Sequence, residues 1–580
     1  MQIFRDIRIK IDSFFTPSWI AALILFALNL FLVFNVLTPS FRDLNGWDES
    51  VYINTGKTLF EGTLPVFARN PLIGFLYAVT YIPYQTSPFW LVESATLGRI
   101  FLFFVIWLST FLVGSKVSKH ASPLIIAAFV LIFPVLTDIL GNPSDSLFAA
   151  MSGFTFWQVL SFHETQKIKH VWWASFFIGL AALSRNDGLV SYGILAVLII
   201  WLAMRFKSAW QWIPALVIPF ALIVGGYQLF YGMQTGDYSL GSTERSYVAF
   251  LQGQQLVYEK DPECRFKRIR CAVFQADELY GSGEENNYSI LRAIANNPGA
   301  YSLRLLAHFR KLPKLFFYTY GQRTIFLLLF LALRGLVELI RKKEYSLLAL
   351  LIAWPAYLSV YFLTFFREGY LRTPFFIFFT FGAIGVQAFV ENLANLKENR
   401  IWVIILTGTT LLAWFAGIQA LYFTTVLLLA AVLVIPLFKQ AGQRTTSGLL
   451  ILLLVGLILR PAFDPPVRKT LGEDYEIQGI LTLAQNLPAG SQVASGAPGA
   501  VWMARMEPID VADLDYGDVT TPEALYEQLK KDGVDAIYVD SYFSNTNREI
   551  WRLMIPGIGR YYENIYLSPS GGDIQVFLLK

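Results

Sequence analysis

The 580-residue sequence has little charge, two cysteines and four histidines. Only 15% of its residues are charged and 55% are hydrophobic, whereas soluble domains carry roughly a quarter charged residues. This composition excludes an ordinary soluble protein and predicts a polytopic α-helical membrane protein. No basic stripe accompanies the aromatic residues, so nucleic acid is not an expected partner.

The sequence also lacks the patterns of several common sites. The histidines have no metal-ligand spacing, which argues against a metal site built from histidine. No glycine loop that could cradle phosphates is present, so a nucleotide sugar is not an expected substrate. The two cysteines, Cys264 and Cys271, lie in one polar loop. They form a disulfide if that loop faces an oxidising compartment, and two unpaired thiols are the alternative.

Long apolar runs dominate the remaining sequence. Runs of about twenty residues predict membrane-spanning helices, about 13 in all. The first run has no small-residue cleavage site, so we expect it to remain as an anchor. The predicted spans lie near residues 18–38, 91–115, 121–140, 144–162, 171–185, 187–204, 211–232, 323–340, 346–366, 373–391, 401–420, 422–438 and 447–460. The apolar run 72–83 is too short to span and is expected to lie in or re-enter the membrane.

Lysine and arginine recur in every second short loop, which is typical of cytoplasmic loops. With a cytoplasmic N-terminus, the first loop (39–90), the long loop (233–320) and the tail face away from the cytoplasm, outside the cell's inner or plasma membrane. The sequence therefore predicts a membrane domain over 1–460 and a small extracytoplasmic α/β domain over 461–580.

Two segments outside the predicted spans have clear local patterns. Leucine and phenylalanine recur at helical spacing over 298–320 with basic residues between them, which predicts a helix on the membrane interface or on the ends of the bundle. In the tail, PEALYEQLKKDG is an amphipathic helix pattern that ends at Gly533 and leads into the strand AIYVD. Residues 574–579 are the predicted last strand.

The stretch GWDESVYINTGKTLFEGTLPVFARNPL, residues 46–72, is the first polar sequence beyond the first apolar run. Its carboxylates Asp48 and Glu49 are adjacent, and a carboxylate beside a membrane cavity tends to be functional because it is costly to keep there. An inverting sugar transfer needs a base that takes the proton of the acceptor. One carboxylate of the pair can be this base while the other holds it in place or binds the acceptor. Alternatively, Asp48 caps the helix that begins near Ser50.

Asp145, in the turn GNPSD, is the second candidate carboxylate, and capping of the following helix is its alternative role. Arginines near the same predicted face are suited to neutralising a phosphate leaving group. The alternative role of these arginines is to extend to the lipid headgroups at the membrane surface. The candidates are Arg69, Arg185, Arg367 and Arg372.

At these residues the sequence resembles the GT-C glycosyltransferases, in the branch of the protein O-mannosyltransferases and the aminoarabinose transferase of lipid A. The similar elements are WDESVY, ARNPL, PSDSLFAA, ALSRNDGL and REGYLRTPFF, within residues 15–390. Asn70 stands where the family has a first proline, and Glu368 and Gly369 separate Arg367 from Tyr370. The third arginine position is therefore either Arg367 or Arg372.

The resemblance implies a GT-C fold and a polyprenyl- or dolichyl-phosphate-linked sugar as donor substrate. It implies that Asp48 is the catalytic base, Glu49 its neighbour in the acidic pair and Asp145 the acidic residue of the second loop. Arg69, with the other candidate arginines, would contact the donor phosphate. A divalent metal between acidic residues is compatible with the resemblance, but the sequence does not require one.

The leading prediction is an inverting membrane glycosyltransferase, a hexosyl or pentosyl transferase. Its acceptor would be a hydroxyl of a protein, a lipid or a polysaccharide, at the extracytoplasmic face. One alternative is a transporter or flippase of lipid-linked sugar or polysaccharide, which would be expected to show internal repeats and charges at the membrane midplane. Another is a scaffold whose acidic tail binds a partner.

Overall fold

The structure is a computed structural model, and it divides into two compact units. The first unit comprises Met1–Phe34, Phe67–Leu72 and Phe101–Asp464, and the second comprises Asn35–Val66, Ile73–Ile100 and Pro465–Lys580. The structure describes residues 27, 48–63, 71–117, 142–206, 211–236, 238, 243–257, 268–320, 325–364, 370–371, 373–392, 404, 407–408, 411, 475–496, 498–510, 519–540, 543, 548–569 and 574–580.

The described part of the first unit is helical. Its helices are α3 (Trp90–Lys116, which begins in the second unit), α4 (Pro143–Thr165), α5 (Ile168–Ser184), α6 (Asp187–Phe206), α7 (Trp212–Phe220), α8 (Gly226–Thr235), α9 (Thr243–Gln252), α10 (Arg268–Tyr280), α11 (Ile290–Asn296), α12 (Pro298–Tyr320), α13 (Ile325–Arg341), α14 (Tyr345–Ala353), α15 (Ser359–Leu363) and α16 (Phe375–Asn392). A π-helical segment, Ala221–Gly225, joins α7 to α8.

Apolar length explains these helices, because about twenty apolar residues span the hydrocarbon core. Among the described residues, three helices are long and apolar enough to cross a membrane: Trp90–Lys116, Asp187–Met204 and Trp212–Thr235. The eight predicted spans that fall on described residues all coincide with helices. The other five, near 18–38, 121–140, 401–420, 422–438 and 447–460, lie outside the described residues apart from a few single positions. The total of about 13 spans therefore stays a prediction.

Two glycines allow α13 and α16 to pack with their backbones in contact. A Cβ added at Gly335 would lie 1.9 Å from the carbonyl oxygen of Phe381, and one added at Gly385 would lie 2.0 Å from that of Leu331. Small residues permit this close approach of membrane helices, which is stabilised by van der Waals contact.

The long loop folds as a helical cluster in which α9, α10 and α11 surround buried aromatic residues, including Tyr247, Phe250 and Tyr280. The helix predicted over 298–320 is present as α12. Its apolar residues face outward, with Leu303 65% exposed, whereas Arg304 and its neighbour one turn later, His308, are fully buried. This orientation favours contact of the apolar side with lipid.

The two cysteines of this loop cannot be assigned to either predicted state. Cys264 and the side chain of Cys271 lie outside the part of the chain that the structure describes. The choice between a disulfide and two thiols stays a prediction.

The second unit contains two helices of the first loop, α1 (Asp48–Phe60) and α2 (Leu72–Tyr81), together with the tail. The tail comprises α17 (Tyr475–Asn486), β1 (Gln492–Ser495), α18 (Pro498–Met503), β2 (Glu507–Asp510), α19 (Pro522–Lys531), β3 (Ala536–Val539), α20 (Arg548–Met554), β4 (Tyr562–Leu567) and β5 (Gln575–Leu579). Its five-stranded sheet has the order β2-β1-β3-β5-β4.

The strands β2, β1 and β3 are parallel, and β5 and β4 continue the sheet in antiparallel pairing. The predicted tail helix is α19, whose first turn is capped by the Thr521 side chain accepting a hydrogen bond from the Ala524 amide over 3.2 Å. Gly533, with a φ of +76°, turns the chain into β3. These local predictions, and that of a last strand over 574–579, are confirmed.

Candidate functional site

The acidic pair lies at the start of α1, and the structure places Glu49 in a buried ion pair. Arg99 of α3 donates from Nε to Glu49 Oε1 over 3.1 Å and from a terminal nitrogen to Oε2. The Tyr77 hydroxyl of α2 donates to Glu49 Oε1 over 2.9 Å. Glu49 and Arg99 are 2% and 5% exposed, so water screens their attraction little.

Both oxygens of Glu49 are thus engaged by donors. Burial, followed by the charge of Glu49, raises the pKa of Tyr77 well above its ordinary value, and the phenol, which is protonated at neutral pH without any shift, donates to the carboxylate. A carboxylate held by three hydrogen bonds is an anchor, and here it fixes the first turn of α1 to α2 and α3.

A glycine makes a second attachment between α1 and α2. A Cβ added at Gly56 would lie 2.4 Å from the carbonyl carbon of Tyr77, so the two backbones are in direct contact. Asp48 is the first residue of α1, and its side chain lies outside the described part of the structure. Its backbone position is set by the anchored helix that it begins.

The second acidic candidate belongs to a buried cluster in the first unit. Asp145 is in the first turn of α4, where its carboxylate pairs with Arg185 and accepts a hydrogen bond from Asn142 Nδ2 over 3.0 Å. Arg185 lies in the extended link between α5 and α6 and also donates from Nε to Asp187 over 2.7 Å. Asp145 therefore pairs with a cation across the bundle.

Two tyrosines complete this cluster. Arg185 donates to the Tyr361 hydroxyl over 3.2 Å, and that hydroxyl donates to Asp187. The rings of Tyr361 and Tyr370 stack with centroids 4.1 Å apart, and the Arg185 guanidinium lies 5.0 Å from the Tyr370 ring centre. Two carboxylates share one arginine, so Arg185 carries no surplus positive charge for an anion in this arrangement.

The structure describes the side chains of three of the seven predicted site residues, and it groups them as two separate ion-pair sets. Glu49 lies with Arg99 and Tyr77, and Asp145 lies with Arg185. The roles assigned to these residues stay predictions. The others, which lie outside the described residues in whole or in side chain, are Asp48, Arg69, Arg367 and Arg372.

Sequence reasoning missed the partners that hold the predicted carboxylates. A signal existed for Arg99, because an arginine inside a long apolar run usually marks a functional or paired site. Asp187 offered a signal as well, because it lies two residues after Arg185 in the motif SRND. Nothing local distinguishes Tyr77 or Tyr361 from the many other tyrosines of the chain.

A metal site is not evident in the described residues, where no three His, Cys, Asp or Glu side chains form a group that could hold an ion. In the Asp145–Arg185–Asp187 cluster the carboxylates accept hydrogen bonds from Arg185, Asn142 and Tyr361.

Comparison with known proteins gives no match to a family model or to a curated protein. Among solved structures, the chain is similar to ArnT from Cupriavidus metallidurans bound to undecaprenyl phosphate. The TM-score is 0.53 and the sequence identity is 14%, with 97% of this chain and 98% of that chain covered. The apo form of the same protein gives a TM-score of 0.51 at 12% identity, with 96% and 97% covered.

The chain is also similar to the oligosaccharyltransferase of Archaeoglobus fulgidus tethered with an acceptor peptide containing the NVT sequon. Here the TM-score is 0.50 and the identity 14%, with 98% of this chain and 75% of that chain covered. Identities this low establish the fold alone. The comparison gives this chain the fold of both neighbours, and its described apolar helices make it an integral membrane protein.

Proposed function

We propose that the protein is a membrane glycosyltransferase whose donor is a sugar linked to polyprenyl or dolichyl phosphate. The fold supports this class of substrate, since one neighbour was solved with undecaprenyl phosphate and another with an acceptor peptide. The acceptor is a hydroxyl group of a protein, a lipid or a polysaccharide.

The observation that carries the proposal is the anchoring of α1 by the buried Glu49–Arg99 pair. A buried ion pair is weak evidence for stability alone, because desolvation offsets much of its attraction. It does fix geometry, and what it fixes here is the helix that begins with Asp48. A base is effective only when it is held within hydrogen-bonding reach of the proton that it takes.

In the proposed reaction, the acceptor oxygen attacks the anomeric carbon opposite the phosphate. The bond from that carbon to the phosphate oxygen breaks, and its electron pair leaves with polyprenyl phosphate. Asp48 takes the acceptor proton as the new glycosidic bond forms, so the anomeric configuration inverts. General-base catalysis of this kind contributes about 10²- to 10⁴-fold.

The departing phosphate needs positive charge, and Arg69 with Arg367 or Arg372 is the proposed source. Arg185 is a further candidate, although it already shares its charge with Asp145 and Asp187. No step of this reaction requires a divalent metal. We place the reaction at the extracytoplasmic face, with the N-terminus cytoplasmic. The reason is that every second short loop is rich in lysine and arginine, as cytoplasmic loops are, and the candidate residues lie on the opposite side.

Product analysis tests the proposal. Membranes containing the protein would be supplied with polyprenyl-phosphate sugars labelled in the sugar. We expect equal amounts of free polyprenyl phosphate and transferred sugar, with the anomeric configuration inverted. A retained configuration would contradict the mechanism. Intact donor that only changes membrane leaflet would instead establish the transporter alternative.

A further inference from the structure

The tail contacts the helices of the first loop within the second unit. The short helix α18 packs against α1. Directly after α18, the side chain of Arg505 donates a hydrogen bond to the main-chain carbonyl of Gln85, which follows α2. The sheet domain is therefore attached to both helices of the first loop.

The surroundings of this contact are aromatic and charged. Tyr81 is 4% exposed and packs edge-on against Phe60, the last residue of α1, at 5.6 Å and against Trp90 at 5.2 Å. Burial and then the charge of Glu61 raise the pKa of Tyr81, while the charge of Arg505 opposes that rise. Arg505 thus lies close enough to Tyr81, the last residue of α2, for its charge to act on the Tyr81 hydroxyl.

Three attachments now hold α1. Its first turn is fixed by Glu49 to Arg99, its middle is in contact with α2 at Gly56, and α18 of the tail packs against it while Arg505 holds the segment after α2. The first two come from the first loop and α3, but the third comes from a segment about four hundred residues later in the chain. Without the tail, α1 keeps only its attachments to the first loop and α3, and a base displaced by about 1 Å loses much of its rate.

We infer that the tail domain positions α1, and through it Asp48, so that Arg505 acts on the transfer step itself and not on the choice of acceptor. This inference rests on the proposed function. Arg505 is a positioning residue in this account, since it contacts Gln85 and no reacting atom. A tail that served only as a platform for the acceptor would change acceptor binding and leave turnover intact.

The backbone at Arg505 offers a substitution that separates positioning from folding. Its φ is +62°, in the left-handed region that glycine adopts without strain. Arg505→Gly therefore removes the donor while the local backbone is relieved, so a loss of activity is not explained by misfolding. Arg505→Lys retains a donor. Arg560→Ala is the matched control, because Arg560 is an exposed tail arginine that pairs with Glu523.

The test uses the full-length chain with a labelled polyprenyl-phosphate sugar. Turnover is measured with glycerol as a small acceptor and with the acceptors of the membrane fraction. We expect Arg505→Gly to lower kcat about fivefold with both, the factor that corresponds to one hydrogen bond of typical net strength. KM should not change, Arg505→Lys should restore most of the rate, and Arg560→Ala should match the wild type. A loss confined to the KM of the membrane acceptors, or no loss, would overturn the inference.

Hydrogen exchange provides a readout that does not depend on the proposed function. If the wild type turns over no donor, the proposed function fails, and the inference is then judged on the amides of α1. Faster exchange in Arg505→Gly than in Arg560→Ala supports positioning of α1 by the tail. Equal exchange in the two variants refutes it.

Discussion

Replacement of Arg99 by methionine would remove two of the three hydrogen bonds described above for the buried Glu49 carboxylate and leave the one from the Tyr77 hydroxyl. Removal of one member of a buried ion pair typically costs about 3–5 kcal/mol, because the remaining charge stays desolvated. Glu49 is 2% exposed, so the full effect is expected: Arg99→Met and Glu49→Gln should each destabilise the chain by about 3 kcal/mol.

The double variant should lose much less than the sum of the single variants. Glutamine and methionine fill similar volumes without charge, and the glutamine oxygen still accepts from Tyr77. We expect a coupling free energy of about 2–4 kcal/mol between the two positions. The assay is a double-mutant cycle by denaturant titration of the purified full-length chain in detergent.

The pair of Lys57 near the end of α1 and Glu61 just after it, with side chains 22% and 49% exposed, is the matched control. Its coupling should be about 0.3–0.5 kcal/mol, since water screens it. Additivity of Arg99→Met and Glu49→Gln within about 0.5 kcal/mol would refute the reasoning, because the pair would then contribute no more than independent sites.

Two further predictions concern stability. Gly335→Ala should destabilise the chain by about 1–3 kcal/mol, because its Cβ would meet the carbonyl oxygen of Phe381; Gly193→Ala, which meets open space, should be neutral or stabilising in the same titration. Burial, with a smaller effect of Glu285, raises the pKa of Asp277 above its ordinary value of 3.8. The folded protein therefore binds this proton more tightly than the unfolded chain does, and the stability that the proton contributes is lost as the pH rises through the pKa of the folded state. Asp277→Asn should therefore raise the melting temperature at pH 7 and not below about pH 3.8; an equal rise at both pH values would contradict this assignment.

The positions of the described helices could be predicted from the sequence because apolar length is a local property. The run 91–115 is the core of α3, and the amphipathic pattern over 298–320 has the same bounds as α12. Which side of a helix is buried depends on residues that are distant in the sequence. Arg304 and His308 are buried while Leu303 is exposed, a pattern opposite to that of a helix on a water-soluble protein. Which side of such a helix meets lipid depends on neighbours that the sequence does not name.

Part of the candidate site is predictable because charged residues stand out from an apolar sequence. Asp48 and Glu49 are predicted site residues for this reason, and the buried position of Glu49 is observed. Their partners come from distant segments: Arg99 is 50 residues from Glu49, and Tyr361 is 174 residues from Asp187. Such pairs are made by helix packing, and no periodicity or spacing in the sequence encodes them. The attachment of the tail to the first loop through Arg505 is hidden for the same reason.

The most direct test of the central claim compares sugar transfer by the wild type, Asp48→Asn and Glu61→Gln in membranes at equal protein content. Glu61 lies just after α1, the helix that begins with Asp48, and its side chain is exposed. Its variant therefore controls for the loss of one negative charge. The account predicts a loss of about 100-fold or more for Asp48→Asn, the range of general-base catalysis, and none for Glu61→Gln. Transfer by Asp48→Asn at the wild-type rate would contradict it and would remove Asp48 from the mechanism.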